Sequence, residues 1–187
     1  MGADDKMEDA DAWKAELEQA REEKNRFFVS DMQSPIPPAK WRKFGGLEYF
    51  PPDPEYYFEV ELKEHSDKAI TEVNDSKGNA RRYIRWGEFK FELNGQVHAV
   101  QAFKTDESEQ RLFIPFRDST SGTETYGAGR YLDLEEDLNF IDGKWVLDFN
   151  RAYNPWCAYN VNFACPMVPP ENWLDIPIKA GEKAYQK

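Results

Sequence analysis

The chain has 187 residues, 32% of them charged and 40% hydrophobic, with 35 acidic side chains against 24 basic ones for a formal charge of −11. That length suits one well-buried core and is short for two, and the composition is that of a folded domain rather than a disordered one. A surface of this sign repels phosphate backbones and anionic leaflets. No apolar run approaches the roughly 18 residues of a membrane span, and the acidic start MGADDKMEDADAWK lacks the apolar stretch of a secretory signal. Nucleic-acid binding, membrane binding and secretion are therefore not expected. Residues 1–31 hold ten Asp/Glu against five Lys/Arg, so the body is only mildly acidic and has room for a local basic pocket.

From about Asp9 to Phe28, apolar side chains at Trp13, Leu17, Ala20 and Phe27 or Phe28, with the stem of Lys24, recur at helical spacing. Asp9 or Asp11 is a candidate N-cap, and residues 1–7 read as a tail. The simplest role for this amphipathic helix is to close one end of the core; docking a partner is the alternative. Ser34-Pro35-Ile36-Pro37-Pro38 ends the helix as an extended connector too short to separate domains. A brief strand is expected at Leu47–Phe50, then a stiff corner at Pro51–Pro54, strands at Tyr57–Lys63 and Ala69–Val73, and a turn at Asp75–Asn79.

The clearest local signal is Glu88–Phe103. Phe89, Phe91 and Leu93 alternate with charged residues up to Asn94-Gly95, a type I′ turn pair. A strict two-residue turn pairs Phe91 with His98 and turns His98 inward; a bulge would bring Val97 and Ala99 in instead. Further strands follow at Arg111–Phe116, Arg130–Leu134 and Lys144–Asn150, and Pro115 argues for an edge or a bulge. From Pro166 onward, Pro169, Pro170 and Pro177 forbid long regular elements, so an extended tail is expected. The sum is a mainly β, single-domain antiparallel barrel or sandwich of about eight or nine strands, divided as residues 1–31 (acidic tail and helix) and 32–187 (the β domain).

Polar chemistry concentrates in two segments. Phe113–Leu134 places Arg117, Asp118, Thr120, Ser121, Tyr126 and Arg130 close in sequence, with Gly122, Gly127 and Gly129 allowing close backbone approach. Its hydroxyls and two guanidinium forks suit a carboxylate or phosphate, or else satisfy the loop's own backbone. Leu147–Pro166 adds Asp148, Asn150, Arg151 and Tyr153, where Asp148 either joins a ligand site or pairs with Arg130 or Arg151. The glycines match no nucleotide-binding pattern.

Cys157 and Cys165 lack further ligands at zinc spacing, and His65 and His98 are distant from both. Buried reduced thiols in a cytoplasmic protein are expected, with a loop disulfide or a nucleophilic Cys157 as alternatives. His65 reads as a solvated strand end. Neither metal nor cofactor is expected.

The stretches Leu112–Asp133, Leu147–Tyr159, Cys165–Lys183 and Gly46–Pro54 resemble an uncharacterised prokaryotic family known as domain of unknown function 1684, over most of residues 41–183. The family pattern commonly has proline where Trp156 stands and arginine where Trp173 stands. The resemblance implies no particular activity and points to the same two segments. Three functions stand open at this point. The first is binding of a small anion through Arg117, Arg130 and Arg151, with Tyr126, Tyr153, Asn150, Thr120 and Ser121 orienting it. The second is a hydrolase-type enzyme using Asp118, Asp148 or the Cys157 thiol. The third is a structural protein with self-satisfied loops. A small-molecule partner is expected, and a homodimer is left open.

Overall fold

A computed structural model describes residues 10–185. Helix α1 (Ala10–Ser30) sends Leu17 and Phe28 into the body, and Phe28 packs with Ile36 and Tyr159 in a small apolar cluster. Asp9 and the expected tail at residues 1–7 lie outside the described residues. The connector contains buried Ile36 and passes into a 3-10 turn at Pro38–Lys43, which the sequence reading did not anticipate.

Nine strands follow among the described residues: β1 (Tyr57–Val60), β2 (Leu62–Glu64), β3 (Ile70–Asn74), β4 (Ala80–Leu93), β5 (Gln96–Lys104), β6 (Arg111–Phe116), β7 (Arg130–Glu135), β8 (Phe140–Ile141) and β9 (Lys144–Asp148). A four-residue helix, α2 (Glu136–Asn139), joins β7 to β8. They form two antiparallel sheets, one in the order β2-β4-β5-β6-β7 with β3 also on β4, the other in the order β1-β9-β8. No closed barrel forms among the described residues. One apolar core serves both sheets: Phe91 of β4 meets Phe58 of β1 with ring centroids 5.0 Å apart, and Phe149 just beyond β9 sits 5.1 Å from Phe116 of β6.

The hairpin β4–β5 has the strict register, Phe91 opposite His98 and Phe89 opposite Val100, with Asn94 and Gly95 both at positive φ as a type I′ turn demands. Val97 is accordingly exposed and His98 half-buried against the Phe91 ring. Three expectations are corrected. Leu47–Phe50 is not a strand, since only Tyr49 bridges, to Glu182. His65 is not a solvated end, because its Nε2 lies 2.7 Å from Oε1 of Gln101. β4 begins eight residues earlier than its alternation suggested, its first half pairing with β3. Pro115 lies inside the sheet, in a strand that pairs with β5 only at Phe103–Phe113.

Candidate functional site

The first polar segment folds into a buried network in which the Arg130 Nε is left without a hydrogen-bond partner. Arg130 is fully buried, and its Nη2 donates to Oδ2 of Asp118 at 2.9 Å and to the Ile178 carbonyl at 2.8 Å. Its Nη1 donates to the Ala180 carbonyl and to that of Glu182. The other oxygen of Asp118 accepts from the Thr120 amide at 2.8 Å, the Thr120 hydroxyl at 2.5 Å and the Ile178 amide at 3.3 Å. Ser121 Oγ accepts from the Asp118 amide. The Ser121 and Thr123 hydroxyls bond the turn's own backbone while Thr120 bonds the Asp118 carboxylate, which is why a Thr/Ser-rich loop holds one shape here. Gly129, at φ +99, is required because a Cβ there would lie 2.6 Å from the Phe116 carbonyl oxygen. Arg117 points elsewhere, its guanidinium 4.9 Å from the ring of exposed Trp173.

The expected clamp of Arg117, Arg130 and Arg151 is thus not assembled. Burial drives the Arg130 guanidinium to pair with whatever acceptors the fold supplies, and Asp118 with three carbonyls uses them. Tyr126 turns to the Cys157 sulfur, 3.7 Å away.

The second segment opens onto a pocket. Asp148, at the end of β9, is buried and accepts from the Asn150 amide and side chain, both at 2.9 Å, and from the Trp13 indole at 2.9 Å. That network turns the chain through Phe149–Arg151 and places Asn150, Arg151 and Tyr153 beneath α1. On α1 the inward stripe is Trp13, Leu17, Arg21, Lys24 and Phe28, so two cations share the face with the apolar contacts. The cavity between them has about 200 Å³ and is lined by Arg21, Lys24, Tyr49, Asn150, Arg151, Tyr153 and Glu182, among others.

Each lining group is held. Arg21 donates to the carbonyls of Phe50 at 3.0 Å and Asn150 at 3.3 Å, its guanidinium lies 4.5 Å from the Tyr49 ring, and its buried Nε has no hydrogen-bond partner. Desolvation lowers the Arg21 pKa, opposed by Tyr49, Asp148 and nearby glutamates. Lys24 pairs with Oε1 of Glu182 and lies 5.0 Å from the Tyr153 ring. Glu182, 1% exposed, also accepts from the Asn154 amide at 2.7 Å and the Tyr159 hydroxyl at 2.5 Å. Arg151 is half-buried, pairing with Glu16 at 2.8 Å and with Asp148 at 3.5 Å. The Tyr153 hydroxyl donates to Asp133 at 2.5 Å; desolvation, then the Asp133 charge, raise the Tyr153 pKa, so this phenol stays a donor.

Of the expected residues, the structure brings Asn150, Arg151 and Tyr153 to one cavity and leaves Arg117, Asp118, Thr120, Ser121, Tyr126 and Arg130 outside it. Asp118 and Asp148, the carboxylates considered for catalysis, are both buried within hydrogen-bond networks. Arg21 and Glu182 were missed. The helical stripe that flagged Lys24 passes through Arg21 as well. Glu182 sits in a plain Gly-Glu-Lys sequence that gives no signal. No cluster of three or more His, Cys, Asp or Glu with metal-holding geometry occurs among the described residues, and no described helix is long and apolar enough to cross a membrane.

The family model described as Protein of unknown function (DUF1684) matches residues 42–183. The chain belongs to this family. Among solved structures, an uncharacterized protein of Haloarcula marismortui, determined by solution NMR, is 40% identical to this DUF1684 chain. The match has a TM-score of 0.70 and covers 94% of this chain and 96% of that one. No curated protein matches. Trp156 and Trp173 are both exposed; Trp156 stacks edge-on against Phe163 and Trp173 covers Arg117.

Proposed function

We propose that the cavity beneath α1 binds a small anion, a carboxylate or phosphate compound of metabolite size. The observation that carries this reading is the convergence of three cationic side chains, Arg21, Lys24 and Arg151, on one cavity, where each is held in place by a neighbouring carboxylate or carbonyl. Guanidinium forks match carboxylate and phosphate oxygens two at a time. Tyr49 and Tyr153 supply flat apolar walls. A volume near 200 Å³ limits the ligand to a small molecule.

The binding surface in this reading is narrower than the two whole segments. It takes Asn150, Arg151 and Tyr153 from the second segment and completes them with α1. For the first segment the structural reading is favoured by one observation, the complete burial of Arg130 and its pairing with Asp118.

The test is a thermal-shift screen of carboxylates, phosphates and sugar acids. A ligand at 100 times its dissociation constant stabilises by about 2.7 kcal/mol. Hits are expected to weaken in Arg151→Gln, whose half-exposed side chain can be changed at small cost to the fold. Hits that persist undiminished in Arg151→Gln and in Lys24→Gln, or a screen with none, count against the pocket.

A further inference from the structure

Cys157 and Cys165 take no part in the pocket, yet the fold brings them together. Cys157 lies in the 3-10 turn Trp156–Ala158. Cys165 is anchored to the turn after β3: its carbonyl accepts from the Ser76 amide at 2.8 Å and its amide donates to Ser76 Oγ at 3.2 Å. These two anchors place the Cys165 sulfur 3.2 Å from the Cys157 amide, which donates to it, so the two cysteines are neighbours in space. The Tyr126 hydroxyl stands 3.7 Å from the Cys157 sulfur on another side.

The contacts treat the two sulfurs unequally. The Cys165 thiol, aided by Tyr126 and Ser76, holds the Cys157 thiol down to about 6 against the opposing effect of burial. The same contact, with burial, pushes Cys165 up. The contacts thus favour the thiolate at Cys157 over the thiolate at Cys165.

We propose that Cys157 and Cys165 form a peroxide-reactive redox pair, with Cys157 the attacking sulfur and Cys165 the resolving one. Each cysteine is 8% exposed, which admits a small hydroperoxide and excludes bulky disulfides. The Cys157 thiolate attacks one peroxide oxygen: an S–O bond forms, the O–O bond breaks, and hydroxide leaves to take up the proton the thiol had released. The product is a sulfenic acid. Cys165 then attacks the Cys157 sulfur, forming the S–S bond and breaking S–O, and the hydroxyl departs with the Cys165 proton as water. The two sulfurs together lose two electrons to the peroxide, and a dithiol reductant reverses the change.

The experiment doses the reduced full-length chain with equimolar hydrogen peroxide at neutral pH, then alkylates the remaining thiols and weighs the intact protein. The wild type is expected to lose both alkylatable thiols together as a monomer two hydrogens lighter, and to regain them with a dithiol. Cys165→Ser should stop at a sulfenic acid on Cys157 that dimedone traps. Cys157→Ser should consume peroxide slower by on the order of tenfold. Wild-type protein that keeps both thiols, accumulates sulfinic acid without a disulfide, or cross-links between chains overturns the proposal. The wild-type measurement decides alone if either serine variant fails to fold.

Discussion

The side-chain amide of Asn172 stands in the gap that Pro115 opens between β5 and β6. Its Nδ2 donates to the Pro115 carbonyl at 2.7 Å and to the Gln101 carbonyl at 2.9 Å, and its Oδ1 accepts from the Gln101 amide at 2.7 Å. A proline has no amide to donate to the ladder, so a central strand containing one must satisfy its neighbour some other way. Here a residue 57 positions later in sequence does so from full burial. The Asn172 backbone continues the join: its carbonyl accepts from the Arg117 amide at 3.0 Å, and the Leu174 amide donates to the Arg117 carbonyl at 2.8 Å.

Asn172→Ala strands the Gln101 amide and two carbonyls in a dry interior, so a loss of about 3 kcal/mol is expected. Asn172→Asp keeps the acceptor but loses both donors and buries a charge, and should be worse still. Urea midpoints of the two variants, read with unchanged m-values, check this.

Arg130 and Asp118 should behave as a unit. Removing either alone leaves a buried charge without its partner, at a cost of about 3–5 kcal/mol. The double replacement Arg130→Met with Asp118→Leu should be less destabilising than the sum of the singles, with a coupling that equilibrium unfolding can measure. Additive losses would mean that the pair is not coupled.

Gly181 lies at φ +75, where an added Cβ would meet the carbonyl oxygens of Ala152 at 2.6 Å and Phe149 at 2.8 Å. Gly181→Ala combines left-handed strain with that overlap and should cost at least about 2 kcal/mol. Because Gly181 delivers Glu182 to the pocket, the variant should also weaken any anion that stabilises the wild type. A thermal-shift comparison with and without that anion reads both effects.

The cysteine pair gives a pH signature. The Cys157 pKa lies at about 6, below the ordinary value of 9.0. Between these values the unfolded chain binds more protons than the native one, so stability from this group is present above 9.0 and is lost as pH falls through about 6. Cys165 is shifted the other way and acts with opposite sign above its ordinary value. The wild-type minus Cys157→Ser difference in ultraviolet thiolate absorbance should rise with a midpoint near 6. A midpoint at the value of a free thiol would show that the Cys165 and Tyr126 contacts do not act on it.

What the sequence disclosed follows the range of the interactions involved. Phe89, Phe91, Leu93 and the Asn94-Gly95 turn lie within seven residues, and their alternation marked the hairpin; the choice between the strict register and a bulge came from the structure. The helix stripe was legible for the same reason. The destinations of its cations were not, because Lys24 meets Glu182 and Arg21 meets Asn150 across more than 120 positions. The two polar segments stood out by composition, which could not tell one from the other. One turns its arginine inward to a carboxylate and three carbonyls, while the other leaves Arg151 half-buried at a cavity. The gap at Pro115 was visible and its remedy, Asn172, was not, since an asparagine between Pro170 and Trp173 looks like any loop residue.

The most direct measurement of the anion pocket is a heteronuclear NMR titration with the strongest hit of the screen. Binding beneath α1 predicts saturable shifts centred on the amides of Arg21, Lys24, Asn150, Arg151, Ala152 and Glu182. Shifts centred instead on the surface cavity lined by Lys40, Lys43 and Glu48, or linear drifts spread over the surface, would contradict it.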